Sequence, residues 1–448
     1  MIANLSRAAV TAAAVLAITA CTETRFEEAT GDGQIRGVAG IAGADDAIFL
    51  IEERELTQLA FKSVSAPQEF DDLSYNFNFD LPIPRDVDRR LATRFVDVVD
   101  SMEYTLALGG TVAAPELFVW ERPEPVWAGT ESEFDVGGGH LSTQLGSVDV
   151  YFAPPGTAPV AGNALGTLSF GEQFADARFA TGDYTVTLTP AGDPATILFR
   201  SGALTVSGGN TFTIAIFDGD LSIPAPVSVR LIDTTGAGAE LADERFPPTA
   251  QFVHAAFGTG NVDVASGGNF AAPLATNLAF GQISADVDVA AGTETYAFAP
   301  TGNTMPLVEA DLGVAVGSRA MVVLLGAVGD LQVLNVVSPR RGLATVAQFR
   351  VTHASNNAGA IDVYFTETGM GADGQLPSII GQPFGQASNV GRVVPGTFDL
   401  IITANGSTDP IVGPTPVTLD TDDLLEIVVL DTADPNVTDA IIFSNINP

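Results

Sequence analysis

Arg350-Val351-Thr352-His353-Ala354-Ser355-Asn356-Asn357-Ala358-Gly359-Ala360-Ile361-Asp362-Val363-Tyr364 holds the pattern from which the fold follows. An apolar run, a loop of Asn, Ala and Gly, and a second apolar run is the pattern of two short strands. The same pattern occurs twice more. The chain's three histidines are His140, His254 and His353, and each is followed nine residues later by an aspartate inside an apolar strand. Those strands read Val148-Asp149-Val150-Tyr151, Val262-Asp263-Val264-Ala265 and Ile361-Asp362-Val363-Tyr364. Three histidines in one register mark an internal repeat, and a repeat governs every later step of the reading.

Other landmarks keep the register. Phe170-Gly171, Phe280-Gly281 and Phe384-Gly385 each precede a further glycine by eleven residues: Gly182, Gly292 and Gly396. That glycine opens an alternating strand, and positive φ is expected there. An apolar run follows in each copy: Phe212–Ile216, Met321–Leu325 and Leu425–Leu430. A last strand closes each unit: Val227–Leu231, Leu331–Leu334 and Ala440–Phe443. The N-terminal part fits as a worn first copy, with Phe61 placed 109 residues before Phe170. It lacks the His and has no clear Asp. Its basic segment Arg85–Arg94 is expected to be an insertion or a short helix, and Gly137-Gly138-Gly139 a flexible turn rather than a phosphate cradle. Trp120 and Trp127 are expected in core or interdomain packing rather than as a sugar platform.

The phenylalanine landmarks lie 109, 110 and 104 residues apart. That period is too long for a solenoid repeat and suits a self-contained domain. Seven or eight strands per unit predict an all-β chain of four tandem immunoglobulin-like β-sandwiches. The expected divisions are 30–128 (degenerate), 129–245, 246–341 and 342–448. Short linkers predict a semi-rigid array.

Ahead of the repeats, Arg7 precedes an uncharged run over residues 8–20, too short to span a bilayer and suited to a secretory signal. The run ends Ile18-Thr19-Ala20-Cys21, which resembles the lipobox of bacterial lipoproteins. The resemblance implies a signal peptide over 1–20 and a diacylglyceryl, fatty-acylated Cys21 on a tether over 21–29. The bilayer is then a partner through the acylated cysteine, because two or three acyl chains anchor stably where one does not. Cys21 is the chain's single cysteine, so no internal disulfide competes for it. Thr22 in place of the Asp common in lipoproteins of the inner membrane points to the outer membrane, facing the periplasm or the cell surface.

Composition limits the remaining partners. A net charge of −35, from 54 acidic and 19 basic side chains, repels phosphate backbones and argues against nucleic acid. Residues 350–364 resemble the opening of the domain-of-unknown-function 4397 family, V-H-A-S-P-D-A-P-x-V-D-V-Y, with Asn356-Asn357 in place of Pro-Asp. The likeness is good over 345–447, fair over 130–340 and weak over 30–128. It implies an extracytoplasmic β-sandwich and no activity.

The pairs His140/Asp149, His254/Asp263 and His353/Asp362 are the recurrent polar constellation. In a hairpin closed at residues 258 and 259, His254 would lie opposite Asp263 and pin the register. A structural role therefore precedes a ligand or metal role. Ser142 and Ser355 follow their histidines by two residues, but Ala256 stands there in the third copy, which counts against a triad. One His per repeat and no thiolate fall short of a zinc site. Asp218, Asp220, Asp420, Asp422 and Asp423 are weak calcium candidates with no EF-hand spacing. No cofactor is expected. The expected function is a non-enzymatic envelope or cell-surface lipoprotein with binding or spacer domains for an unidentified protein or glycan. A carbohydrate- or peptidoglycan-binding lipoprotein is the alternative, and a hydrolase a remote one.

Overall fold

In the computed structural model the described residues are 28–83, 86–220, 223–337, 340–432 and 438–444. Cys21 and the signal segment lie outside them. The described residues are all-β, with every regular element a strand. Their strands form eight sheets, two per repeat, stacked as four immunoglobulin-like sandwiches in chain order.

One plan recurs four times. The opening strand pairs in parallel with the penultimate strand: Asp32–Ala39 with Met102–Gly110, Glu133–His140 with Thr211–Asp218, Thr249–Phe257 with Arg319–Ala327, and Ala347–His353 with Leu424–Asp431. The closing strand adds antiparallel to the penultimate one. The second strand starts the other sheet and pairs antiparallel with a long central strand: Ala47–Ile51 with Ser74–Leu81, Val148–Ala153 with Gly182–Pro190, Val262–Ser266 with Gly292–Pro300, and Ile361–Glu367 with Gly396–Ala404. The worn first copy thus carries both sheets. Over the described residues 86–94 its basic segment holds no helix, and Arg85 lies outside the described residues. Residues 89–97 form a strand against Ser74–Leu81, with Arg90 on Asp80, Leu91 and Val96 buried and most other side chains in water.

Each sandwich buries its own core, such as Phe49, Phe77 and Phe79 in the first and Phe252, Tyr296 and Phe298 in the third. In the second sheets the outer strands, such as Val308–Val314, alternate between core and water, while the second strands are largely buried. The opening and penultimate strands are buried on both faces: Thr249–Phe257 is covered over its first eight residues, and Ala347–His353 over all seven. Continuous burial replaces alternation where both sides of a sheet are covered.

The second cover is a neighbouring repeat. Val38, Ala107 and Trp120 of the first repeat pack on Leu141, Ala215, Phe217 and Ile232 of the second. Val253, Met321 and Val323 of the third pack with Ala354, Val428 and Leu430 of the fourth. The glycine run 137–139 is corrected by this packing: it lies within the opening strand of repeat two, not in a turn. A Cβ on Gly139 would meet the Trp120 ring at 2.4 Å and one on Gly138 the Phe174 ring at 2.4 Å, so the side chains are absent where rings press on the backbone.

Charge is buried along the same faces. Arg36 is 2% exposed, pairs with Glu103 at 3.0 Å and donates to the Asp233 carbonyl of repeat two at 2.9 Å. Arg350, at the equivalent position, pairs with Glu426 and donates to the Val337 carbonyl of repeat three at 2.8 Å. The two pairs of repeats also touch. Ala344 donates its amide to Gly43 at 2.8 Å, Arg341 bonds the Ala42 carbonyl at 2.9 Å, and Arg392 reaches Asp45. The first and last repeats are therefore in contact. The four sandwiches form a folded-back body.

Candidate functional site

The recurrent residues are brought together with their landmarks, but not in the expected pairs. His254 and Asp263 do not face each other, because the opening and second strands belong to different sheets. The residues between them cross from one sheet to the other instead of closing a hairpin. Each histidine is fully buried. His140, His254 and His353 direct Nε2 at the carbonyl six residues on, that of Gly146 (3.2 Å), Gly260 (2.8 Å) and Gly359. A carbonyl only accepts, so Nε2 carries the proton. Nδ1 then accepts from the Ser142 amide at 3.1 Å and the Ala256 amide at 3.3 Å in the second and third repeats. Burial lowers the pKa of all three rings, and protonation would turn Nδ1 against an N–H donor in those two repeats.

The histidine backbone holds the second landmark. Gly171, Gly281 and Gly385 donate to the carbonyls of His140, His254 and His353, and the three histidine amides bond back to the carbonyls of Glu172, Gln282 and Gln386. These Phe–Gly glycines have φ of 84°, 78° and 75°. The strand-opening glycines depart from expectation: Gly292 has positive φ, whereas Gly182 and Gly396 do not. In the first repeat Ala39 takes the histidine's place and Lys62, at φ 67°, takes the glycine's.

Each aspartate serves a different loop. Asp149, Asp263 and Asp362 accept from the amides of Gly192, Gly302 and Gly406 at 2.8, 2.9 and 2.8 Å. Each glycine stands two residues past the central strand and has positive φ. Desolvation opposes ionisation of Asp263 and Asp362, but their amide donors together outweigh it and hold both carboxyls below the ordinary value.

A third brace escaped the sequence reading. Ser142 and Ser355, both buried, donate to Asp218 and Asp431 at 2.5 and 2.6 Å. Asp218 also takes the Thr143 hydroxyl and the Gln144 amide, and Asp431 the amides of Asn356 and Asn357. The strand registers place Ala256 and Gly326 at the corresponding positions in repeat three, and Ile41 and Gly110 in repeat one. Serine and aspartate are thus present together or absent together. That joint loss was the signal available in the sequence, and it needed the parallel register to be visible.

The calcium candidates are spent or scattered. Asp218 is the brace just described, Asp220 lies 3.4 Å from Lys62, and Asp423 accepts the Asp420 amide. Asp422 sits at φ 69° and donates its amide to the Leu343 carbonyl. Among the described residues no group of three or more His, Cys, Asp or Glu side chains is placed to hold a metal ion.

The model of a family described as "Domain of unknown function (DUF4397)" matches residues 248–364, the third sandwich and the first two strands of the fourth. The curated proteins hold no match. Among solved structures, CBMbc (family CBM26) from Eubacterium rectale Amy13K, in complex with maltoheptaose, is 15% identical, covering 46% of this chain and 98% of its own at a TM-score of 0.18. The Bacillus anthracis TIE protein is 9% identical, covering 90% of this chain and 69% of its own at a TM-score of 0.15. At such scores neither likeness bears on function.

Two predictions follow from the braces. Removing one partner strands a buried polar group, whereas removing both is nearly neutral. Ser355→Ala alone should cost about 1–3 kcal/mol by chemical denaturation, and Ser355→Ala with Asp431→Gly, the state of repeat three, should recover part of that. Equal costs for single and double variants would refute the pairing. The histidines set a pH window. Above about pH 6.5 folded and unfolded chains are both neutral at these rings. As pH falls below it the unfolded chain takes up protons that the folded chain resists, so stability is lost down to the folded-state values. The melting temperature should drop between pH 7 and 5, and replacing the three histidines with Gln should flatten that drop.

Proposed function

We propose that this is a non-enzymatic, lipid-anchored protein of the bacterial cell envelope, whose four sandwiches act as one folded-back body presenting loops and sheet edges to a protein or glycan partner. One observation carries the reading: the recurrent His, Asp and Ser side chains are buried and engaged in bracing loops. The Ser142 hydroxyl donates to Asp218 and not to His140, so the nucleophile–base bond of a hydrolytic triad is not made. The braces hold loops at fixed positions on a rigid scaffold, as recognition surfaces require. Anchoring at the outer membrane rests on Ile18-Thr19-Ala20-Cys21 and Thr22.

A glycan-binding reading is favoured by one place. At the seam of the first two repeats a cleft of about 510 Å3 is lined by Trp127, Asp176 and Arg178, with Val126 92% exposed beside it. An aromatic ring among carboxylate and guanidinium groups suits a sugar. The Arg178 guanidinium lies 5.0 Å over the Trp127 ring, so a sugar stacking on that face would displace it.

Cys21→Ser should move the protein from the membrane to the soluble fraction of envelope extracts, and unchanged membrane retention would contradict the anchor. Co-sedimentation with peptidoglycan that Trp127→Ala abolishes would identify the partner as a glycan, and no co-sedimentation would leave a protein partner. Ester, peptide or glycoside hydrolysis lost in Ser355→Ala would overturn the non-enzymatic reading.

A further inference from the structure

Lys62 is the chain's single lysine, and every other basic residue is an arginine. It stands at the turn position that Gly171, Gly281 and Gly385 hold in the other repeats, and it does so at φ 67°. A side chain is strained in that left-handed region, where glycine is not. Such an outlier persists where its surroundings enforce it, and it points to a role for the side chain.

The side chain crosses the seam between the first two repeats. Lys62 is 8% exposed, and its Nζ lies 2.8 Å from Glu240 Oε1 and 3.4 Å from Asp220 Oδ2, both carboxylates of the second repeat. The Asp220 side chain is 7% exposed and makes further polar contact besides this one. Glu240 Oε1 also accepts the Ser228 hydroxyl at 2.7 Å. The Phe61 ring lies 5.5 Å from Nζ and edge-on to Phe217 of the second repeat, so an apolar wall flanks the amine. Arg230 of the second repeat donates to the Lys62 carbonyl and holds the turn in place. An arginine pairs with buried carboxylates at least as well as a lysine. Of the two, lysine is the one whose amine condenses with a carboxyl to an amide.

We propose that Lys62 and Asp220 are a modification site, joined by an intramolecular amide that clasps the first repeat to the second. Lys62 Nζ attacks the Asp220 carboxyl carbon. Glu240 Oε1, in contact with Nζ, accepts the protons that the ammonium gives up and relays them to the departing Asp220 oxygen. One N–C bond forms, one C–O bond breaks, and water leaves with both protons. An ammonium and a carboxylate become a neutral amide, so charge balances, Glu240 is returned unchanged, and no oxidant or reductant takes part. The folded seam holds the reacting groups together, which supplies the effective concentration that condensation in water lacks. Burial favours the same outcome, because two desolvated ions are costlier than one amide. The inference is independent of the partner proposed above.

The test is tryptic peptide mapping of the folded full-length protein by mass spectrometry. Segments 55–85 and 201–230 should appear as one species, uncut after Lys62 and lighter than their sum by the mass of one water. Lys62→Arg, which keeps the charge, should abolish that species, and so should Glu240→Gln. The wild-type map decides even if a variant fails to fold. Complete cleavage after Lys62, with 201–230 recovered free, would overturn the proposal and leave an ion pair. A link from Lys62 to segment 231–245 would place the amide on Glu240 and overturn the assignment to Asp220. An undiminished link in folded Glu240→Gln would overturn the proton relay.

Discussion

A sheet that is apolar on both faces cannot be left with one face in water, and this constraint organises the molecule. In every repeat the parallel pair of opening and penultimate strands is buried on both faces, the outer one mixing apolar side chains with a few paired polar ones such as Arg36 and Arg350. One face fills the sandwich's own core. The other carries residues such as Val38, Ala107 and Phe217, or Val253, Val323 and Val428, all buried. Burying a side chain of that size contributes about 1.5–3 kcal/mol. Two repeats packed face to face satisfy the demand for both, so repeats one and two pair, as do three and four. Arg36 and Arg350 use the same faces, each paired with a glutamate on its own sheet and bonded to a carbonyl of the neighbouring repeat.

The loops are fixed separately, by side chains rather than by the core. Each histidine brings its backbone to the Phe–Gly turn and its ring to the following loop. Each aspartate ties the second strand to the turn after the central strand. The serine–aspartate brace ties the opening loop to the end of the penultimate strand, and repeats one and three dispense with it by a positive-φ glycine, Gly110 at 85° and Gly326 at 91°. The polar signature of the repeat is thereby explained as loop architecture. Two of the landmark phenylalanines mark the first seam: Phe61 stacks edge-on to Phe217 and Phe170 edge-on to Phe118, in each case across repeats.

Much of the fold was legible because it rests on local pattern. The spacing of His140, His254 and His353 with their aspartates revealed the repeat, and the strand runs between turn residues revealed the sandwich. The links between those landmarks were not legible. Nine residues from His to Asp fit a hairpin as well as a crossover between sheets, and only long-range pairing separates the two. Arg89–Asp97 looked unlike a strand because its exposed side is basic, and Gly137-Gly138-Gly139 looked like a turn because the rings that replace its side chains lie elsewhere in the chain. The penultimate strands were visible as apolar runs, yet nothing in them named the neighbouring repeat as their cover. The candidate site was legible as a set of residues and not as a set of bonds.

The four sandwiches form one closed body held by face-to-face pairing and by the contact of the first repeat with the last. Small-angle X-ray scattering of the protein without its lipid anchor tests it directly. A folded-back body of this length has a radius of gyration of roughly 22–25 Å, whereas four separate sandwiches in a line give roughly 35 Å. A value near the first agrees with the account. A value near the second, at low concentration and moderate salt, would contradict it.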